Sequence, residues 1–395
     1  MVEKVFSTPH PDPAERHVLS LIEGLRHQLR HQVAEPRRWV GTLRRLTLAR
    51  AVQGSNSIEG YNASLDEVVA AVDGEPPLDP TTETSLAVAG YRDAMTYVLQ
   101  NAQDEHATVD EGLLKALHFM MIKHDLAKNP GRWRPGAIWV SREPENETVY
   151  EGPDADRIPG LIAAMLRELA RTDDDVPLLI RAAMAHLNLV MIHPFSDGNG
   201  RMARALQTLV LAREQVVAPV FSSIEEYLGR NTQAYYDVLA LVGQGGWNPD
   251  NDARPWVRFC LNAHYRQAGT HLRRVQEIES LFSACLDLAE GARLPERVAA
   301  GLVDAAHGLK LRNSSYRSVV ETSFGEEISK LTATRDLNAM VEADLLIPVG
   351  ERRGRHYEAA STLRDVRKRI RDERPPREHD DPFADYAGEQ LALET

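Results

Sequence analysis

Apolar residues in the first third of the chain recur at spacings of three and four, as in Val18, Leu19, Ile22, Leu25 and Leu29. That is the period of one helix face, not of a strand. Residues 14 to 125 therefore read as consecutive packed helices. Gly74-Glu-Pro-Pro and Asp79-Pro80 break them into two groups, and Asp110 opens a run whose Leu113, Leu114, Leu117, Met120 and Met121 form an apolar stripe. Between Gly131 and Pro153 the pattern changes. Ala137-Ile-Trp-Val and Thr148-Val-Tyr flank the polar stretch Ser141-Arg-Glu-Pro-Glu-Asn, which predicts a short β-hairpin. Asp173-Asp-Asp-Val-Pro177 combines N-cap acids with an early proline, and the following helix is apolar almost all round through Met191, as a buried central helix should be. From about Gly291 short helices lead into Leu345-Leu-Ile-Pro-Val, the basic turn Glu351-Arg-Arg-Gly-Arg355 and His356-Tyr-Glu. Helices followed by a small hairpin predict a winged helix. Residues 371 to 395 are rich in charge and proline and poor in apolar groups, so they are expected to be unstructured.

Composition narrows this picture. With 395 residues, 43% apolar and 26% charged, the chain has the proportions of a folded globular protein of two or three domains. A formal charge of −12 argues against a general field-driven affinity for nucleic acid or anionic lipid. Cys260 and Cys285 are too few for a disulfide framework and lack metal-ligand spacing, which suits a reducing cytoplasm and buried thiols. The N-terminus has no apolar signal region, and no run of 18 apolar residues occurs. A cytoplasmic chain without membrane contact is expected.

The chemistry concentrates in His193-Pro-Phe-Ser-Asp-Gly-Asn-Gly-Arg-Met-Ala-Arg204, which leaves one helix, turns through glycines and enters another. Gly198 and Gly200 permit positive φ and close backbone approach where a new helix offers unpaired N–H groups, an anion-binding nest. Arg201 and Arg204 fall in the first turn of that helix, where the macrodipole disfavours cations. A polyphosphate would offset them. Asp197 is the loop's one carboxylate and a hard oxygen ligand suited to Mg²⁺, with capping of the next helix as its plainer role. His193, four residues earlier, is placed to accept a proton from an incoming hydroxyl. The glycines fit neither the phosphate-binding loop of the large NTPase class, which needs Lys-Ser or Lys-Thr, nor a Rossmann turn, which needs a preceding strand. His186 lies on the same helix face, yet nothing nearby completes a metal ligand set, so a hydrogen-bonded core histidine is expected. Tyr235, Tyr236 and Trp247 read as packing residues or as a border for a nucleobase.

These twelve residues resemble the signature of the Fic (filamentation-induced-by-cAMP) family: His, a variable residue, Phe, two positions ending in Asp or Glu, Gly-Asn-Gly-Arg, and a second Arg three later. The resemblance spans roughly residues 106 to 262. It implies a mainly α fold, a Fic-type helical core with a small β-hairpin flap, here joined to the winged helix-turn-helix segment. It also implies a protein adenylyltransferase, in which a Ser, Thr or Tyr hydroxyl of a target protein attacks the α-phosphate of ATP and pyrophosphate leaves. Carried onto this chain, His193 would be the general base and Asp197 the Mg²⁺ ligand. Gly198 to Gly200 would form the anion hole, Asn199 would contact the α-phosphate, and Arg201 with Arg204 would meet the β- and γ-phosphates. The hairpin near 137 to 153 would be the flap that holds target peptide by strand addition. Upstream, Ser55-Asn-Ser-Ile-Glu59-Gly60 resembles the family's inhibitory pattern. A bidentate pair between Glu59 and Arg204 would deny the γ-phosphate its partner. Chance occurrence of so short a pattern, with Ser55 as a helix cap, is the plainer alternative.

The expected organisation is a helical region with the inhibitory motif over 1–105, the catalytic core over 106–262, a linker helix over 263–290, the winged helix over 291–370 and a tail over 371–395. Several readings stay open. The same inhibitory Glu is linked in some relatives to removing AMP, and the loop binds phosphates rather than bases, so UTP or a nucleotide-linked choline would serve it equally. The chain itself is a candidate target, and a homodimer is open. Thr334-Arg-Asp-Leu-Asn-Ala would be the recognition helix of a DNA-binding regulator, with Arg352, Arg353 and Arg355 as its wing. Residues 291 to 369 hold 14 basic against 11 acidic residues, weakly basic for a DNA reader.

Overall fold

The computed structural model of the chain describes residues 3–34, 37–75, 81–142, 147–171, 176–213, 218–351, 354–374, 381–384 and 386. It is mainly helical, with two small two-stranded sheets. The N-terminal region folds as four helices, α1 (Pro13–Ala34), α2 (Val40–Ile58), α3 (Leu65–Val72) and α4 (Glu83–Asn101). Local chemistry sets the starts of α3 and α4. Ser64 and Glu67 form a reciprocal capping box at α3, and Thr82 accepts from the Ser85 amide at α4. The Pro-rich break at 76–80 lies outside the described residues.

Asp110 caps α5 (Glu111–Ile122), as its sequence position predicts, accepting from the Leu113 amide at 2.8 Å. The hairpin follows as β1 (Trp139–Arg142) paired antiparallel with β2 (Glu147–Glu151), with a register shift between Val140 and Ser141. Its turn, 143–146, lies outside the described residues. Next come α6 (Ile158–Ala170) and α7 (Leu178–Ile192). The N-cap acids expected at 173–175 are not among the described residues, and Pro177 occupies the N-cap position itself. α7 is buried on nearly every side, including Ile180, Ala183, Leu187, Leu189 and Ile192, and so forms the centre of the first core.

After α7 come α8 (Asn199–Ala212), α9 (Glu225–Arg230), α10 (Thr232–Gly243) and the 38-residue α11 (Arg254–Gly291). Residues 263–290, expected as a linker helix, are helical and continue α11 from the core. No proline follows its first turn, Gly269 is accommodated inside it, and its apolar stripe changes partners partway. Trp256, Val257, Cys260 and Leu261 join the first core, whereas Val275, Ile278, Leu281, Phe282 and Cys285 join a second. α2 does the same: Leu46, Ala49, Val52 and Ile58 face the first core, Val40 and Leu43 the second. Two continuous helices thus join the cores rigidly. Both cysteines are buried and unpaired.

The C-terminal part consists of α12 (Val298–Ala306), α13 (Asn313–Phe324), α14 (Lys330–Glu342), β3 (Leu346–Val349) paired antiparallel with β4 (His356–Ala359), and α15 (Ser361–Asp372). Arg352 and Arg353 of the basic turn lie outside the described residues. The tail departs from its expected lack of structure where it can still be described: 382–384 form a helical turn, Phe383 packs on the first core, and the Arg258 guanidinium sits 5.5 Å from its ring centroid. Phe383 against the core and Tyr386, 5.2 Å from the His17 ring centroid, hold this segment despite its polar composition. No helix among the described residues is long and apolar enough to cross a membrane.

Candidate active site

The loop from His193 to Gly198 links the buried α7 to α8. α7 ends at His193 in the left-handed region, φ 49°, which turns the chain sharply and points the ring back along the helix. His193 Nδ1 lies 3.0 Å from the Val190 carbonyl oxygen. A carbonyl can only accept, so Nδ1 carries the proton and neutral His193 presents Nε2 as a free base. Burial pushes its pKa below the ordinary 6.5 and nearby Arg134 adds to this, while the bond to Val190 and the carboxylates of Glu59 and Asp197 pull the other way. The imidazole is therefore neutral at pH 7.

The loop is braced by residues that local sequence did not single out. Arg134, only 4% exposed, donates through Nε to the His193 carbonyl at 2.8 Å and through its guanidinium to the carbonyls of Gly136 and Pro153. One side chain therefore ties the loop to both ends of the hairpin. His118 donates from Nε2 to the Asp197 carbonyl at 3.0 Å, accepts from the Gly131 amide at 2.8 Å, and stacks on Phe195 with ring centroids 3.8 Å apart. Burial lowers the His118 pKa to about 4, so it stays neutral. Only the sequence distance hid these partners: they lie 59 to 79 residues from the loop.

Gly198 is the N-cap of α8 with φ +75°, and a Cβ there would lie 3.0 Å from Ile122 Cδ1, so glycine meets both the torsion and the space. Asn199, to which the resemblance gives an α-phosphate contact, has its side chain committed to the loop, accepting from the Phe195 amide at 2.9 Å and donating to the Phe195 carbonyl at 2.8 Å. An α-phosphate contact by this residue would therefore fall to its backbone N–H. Asp197 accepts from the Gly198 amide at 2.6 Å through Oδ1 and pairs through Oδ2 with Lys128 at 2.9 Å and, at 3.6 Å, with Arg201. Burial works against its charged form, but Lys128, Arg201 and the Gly198 N–H hold its pKa below the usual carboxylate value. Among the described residues no group of three His, Cys, Asp or Glu side chains is arranged to hold a metal.

The two arginines of α8 are almost fully buried, at 1% and 2% exposure. Among the described residues Arg201 has no hydrogen-bond partner for Nε or Nη1, and its guanidinium lies 5.1 Å from the Tyr61 ring centroid. Buried guanidinium donors without acceptors are costly, and an anion in the nest would satisfy them. Arg204 has its acceptors. Ser55 Oγ accepts from Nε at 2.7 Å, the Ser55 carbonyl from Nη2 at 3.0 Å, and Glu59 Oε1 from Nη2 at 2.6 Å. Nη1 has no partner.

α2 thus brings the Ser55–Gly60 segment, some 140 residues upstream, onto the loop. Glu59 is the C-cap of α2, Gly60 takes φ +84°, and the reversal lays Tyr61 against Arg201. A Cβ built on Gly200 would lie 2.5 Å from Glu59 Oε1, which places the carboxylate directly over the nest. Tyr236 donates to the Ile58 carbonyl at 3.1 Å beside it. Tyr235 is buried, and His186 bridges Gln207 at 2.7 Å and the Tyr235 hydroxyl at 3.0 Å, a core role that leaves it no open nitrogen. Trp247 packs edge-on against Phe6.

Residues 108–211 match the Fic/DOC family. Similar proteins include the protein adenylyltransferase Fic of Culex quinquefasciatus, 36% identical over 58% of this chain and 41% of its own length, and that of Nematostella vectensis, 28% identical over 55% and 47%. The chain spans less than half the length of these curated relatives. A Fic family protein from Desulfovibrio desulfuricans shares the fold across 90% of this chain and 98% of its own, with a TM-score of 0.56 at 24% identity. Fic-1 of Caenorhabditis elegans does so across 65% and 71%, with a TM-score of 0.52 at 23% identity.

Proposed function

From the Fic/DOC-family domain at residues 108–211, we propose that the chain is a protein adenylyltransferase, transferring AMP from ATP to a hydroxyl side chain of a target protein, and that Glu59 restrains it in cis. The observation that carries this reading is the pairing of a proton-free His193 Nε2 with a glycine nest whose buried arginine donors lack acceptors. A target hydroxyl oxygen attacks the α-phosphorus, its proton passes to His193 Nε2, the new O–P bond forms, and the bond to the leaving pyrophosphate breaks. Backbone N–H groups at the start of α8 receive the α-phosphate, and Arg201 and Arg204 receive the outer phosphates. The exposed hairpin β1–β2, with Trp139 at 56% exposure, is the surface on which a target segment aligns.

Mg²⁺ fits the one carboxylate of the loop. Asp197 Oδ2 already attracts a cation, Lys128, and a Mg²⁺ held by one carboxylate and substrate phosphates needs no three-residue cluster. When bound, the ion neutralises charge on the phosphates. In the resting chain Glu59 occupies the ground over Gly200 and engages Arg204, so the γ-phosphate finds a carboxylate where it needs a cation.

The test incubates wild type, Glu59→Gly and Glu59→Gly with His193→Ala with Mg²⁺ and each labelled nucleoside triphosphate in cell lysate. Label from ATP alone, on protein, only in Glu59→Gly is the expected result. Label from UTP instead would replace the nucleotide, and release of AMP from prelabelled protein would reverse the direction.

A second reading concerns the C-terminal part, whose three helices and hairpin follow the order of a winged helix. Its Asp336 turns inward, bonded to Arg297 at 2.8 Å and to the Tyr316 hydroxyl at 2.9 Å, which leaves Thr334, Arg335 and Asn338 exposed on α14. Nucleic-acid binding by this face predicts salt-dependent retention of the full chain on DNA that Arg335→Ala weakens.

A further inference from the structure

A second concentration of arginines lies outside the loop. A cavity of about 330 Å³ opens where α2, α9, α11 and α15 meet, and Arg50, Arg230, Arg273, Arg274, Arg367 and Arg374 line it. The carboxylates set against them are few. Glu226 holds Arg274 in a two-oxygen fork at 2.6 and 2.5 Å and also pairs with Arg230 at 2.6 Å. Glu277 pairs with Arg374, and Arg367 donates to the Ala306 carbonyl at 2.6 Å. Arg50 makes no hydrogen bond or ion pair within the described residues. Burial, the neighbouring guanidinium groups of Arg274, Arg230 and Arg367, and the weaker opposing pull of Glu226 leave its pKa lowered to about 9. Like charges drawn together in a recess oppose folding, so the arrangement is stable only if something else gains from it.

We propose that this cavity is a binding site for a small molecule carrying two or more phosphate groups, held between Arg50 of α2 and the arginines of α11 and α15. Three features favour that chemistry. Guanidinium forks match phosphate oxygens in pairs. The cationic excess calls for several negative charges in one ligand, and the volume suits a compact molecule rather than a macromolecule. The four helices come from distant parts of the chain, so the cluster is assembled by the fold and is not a basic run of sequence.

The position adds a consequence that rests on the autoinhibition reading, whereas the site itself does not. Arg50 and Glu59 share one turn-by-turn path, nine residues or about 13 Å apart along α2. A ligand spanning α2, α11 and α15 binds best with α2 seated, and by reciprocity it holds Glu59 over the nest.

Calorimetric titration of the full chain with inorganic triphosphate, ADP and ATP tests the site. Arg201→Ala disables the nest and separates the two locations. Triphosphate is expected to bind the cavity of Arg201→Ala with the affinity it shows there in wild type, without the nest's own binding step, and to bind the cavity of Arg50→Gln at least about tenfold more weakly. Because Arg50 has no hydrogen bond or ion pair among the described residues to lose, Arg50→Gln without ligand should melt no lower than wild type, which a structural arginine would not allow. Arg367→Gln is the second variant and should weaken binding in the same sense should Arg50→Gln fold poorly. ATP binding to Arg201→Ala as tightly as triphosphate would identify a nucleotide as the ligand, and preference for triphosphate an inorganic chain. Unchanged affinity in both Arg50→Gln and Arg367→Gln, binding lost only with Arg201→Ala, or no binding of any of the three would overturn the proposal.

Discussion

The loop at 193–204 and the end of α2 that meets it treat charge in opposite ways. The loop gathers donors and leaves some open: Arg201 Nε and Nη1 and Arg204 Nη1 are buried without acceptors. α2 brings acceptors and spends them, with the Ser55 hydroxyl, the Ser55 carbonyl and the Glu59 carboxylate all on Arg204. Two arginines three residues apart on one helix therefore stand in different states, Arg204 occupied and Arg201 waiting. A protein tolerates open buried donors where a ligand will fill them, and it closes one of them from a distance where filling must be controlled.

The most severe way to break the comparison is to remove the base. In a Glu59→Gly background, His193→Ala should lower transfer by about 10²- to 10⁴-fold, as loss of general-base catalysis does, while the far-UV circular dichroism stays unchanged. Rates of labelled AMP incorporation measure it. Activity retained within a few fold would take the proton-accepting role away from His193 and return it to the structural cap that its Val190 bond also provides.

Removing the acceptor instead of the base should act in the opposite direction. Glu59→Gly frees Arg204 and clears the space over Gly200, so initial rates should rise about tenfold to a hundredfold, the worth of one charge-assisted buried contact. Arg204→Ala in that background should return most of the gain. Equal rates in wild type and Glu59→Gly would show that the pair is only structural.

The third perturbation reaches α2 without touching either charge. Gly54 of α2 and Gly229 of α9 cross so closely that a Cβ on Gly229 would lie 2.6 Å from the Gly54 Cα. Gly229→Ala must push α2 away, at a cost of about 1–3 kcal/mol in stability. Thermal melting should report the loss, and transfer should rise by less than in Glu59→Gly, because α2 is loosened and the carboxylate remains.

This glycine crossing also marks the limit of what the sequence made legible. The chemistry of 193–204 could be read because loop, nest and both arginines lie within twelve residues, so their geometry follows from local helix-loop-helix rules. The hairpin and the capped start of α5 follow from signals of the same short range. Glu59 could be nominated by pattern, but its position over Gly200 depends on how α2 packs. Arg134, His118, Lys128 and the arginine cavity had no local signal at all, since each acquires its role from partners tens to hundreds of residues away. Asn199 shows the converse: its place in the motif suggested a ligand contact, and the need to satisfy Phe195 inside a dry loop claimed its side chain. That the linker helix at 263–290 continues the last helix of the core without a break depends on its packing against both cores, which no local pattern carries.

The smallest expected effect is on pH dependence, and it asks whether α2 influences the base as well as the arginine. His193 acts as the neutral form, and burial holds its pKa below 6.5. Activity should therefore persist as pH falls through 6.5 and decline only at lower pH, so the acid limb of kcat/KM in Glu59→Gln lies below the ordinary histidine value. Folding follows the same sign. The unfolded chain takes up a proton on this histidine near pH 6.5 while the folded chain resists it, so the stability it contributes is complete above 6.5 and is lost as pH falls toward the folded value. The Glu59 carboxylate is one of the groups that favour the protonated ring. Its removal should move the limb further down, by less than about one unit, and Glu59→Gln and Glu59→Gly should then share one profile because both lack that charge. A limb at or above 6.5 would mean that the ring is open to water in the working enzyme, and the contrast between a shielded loop and its charged neighbour would fail at its centre.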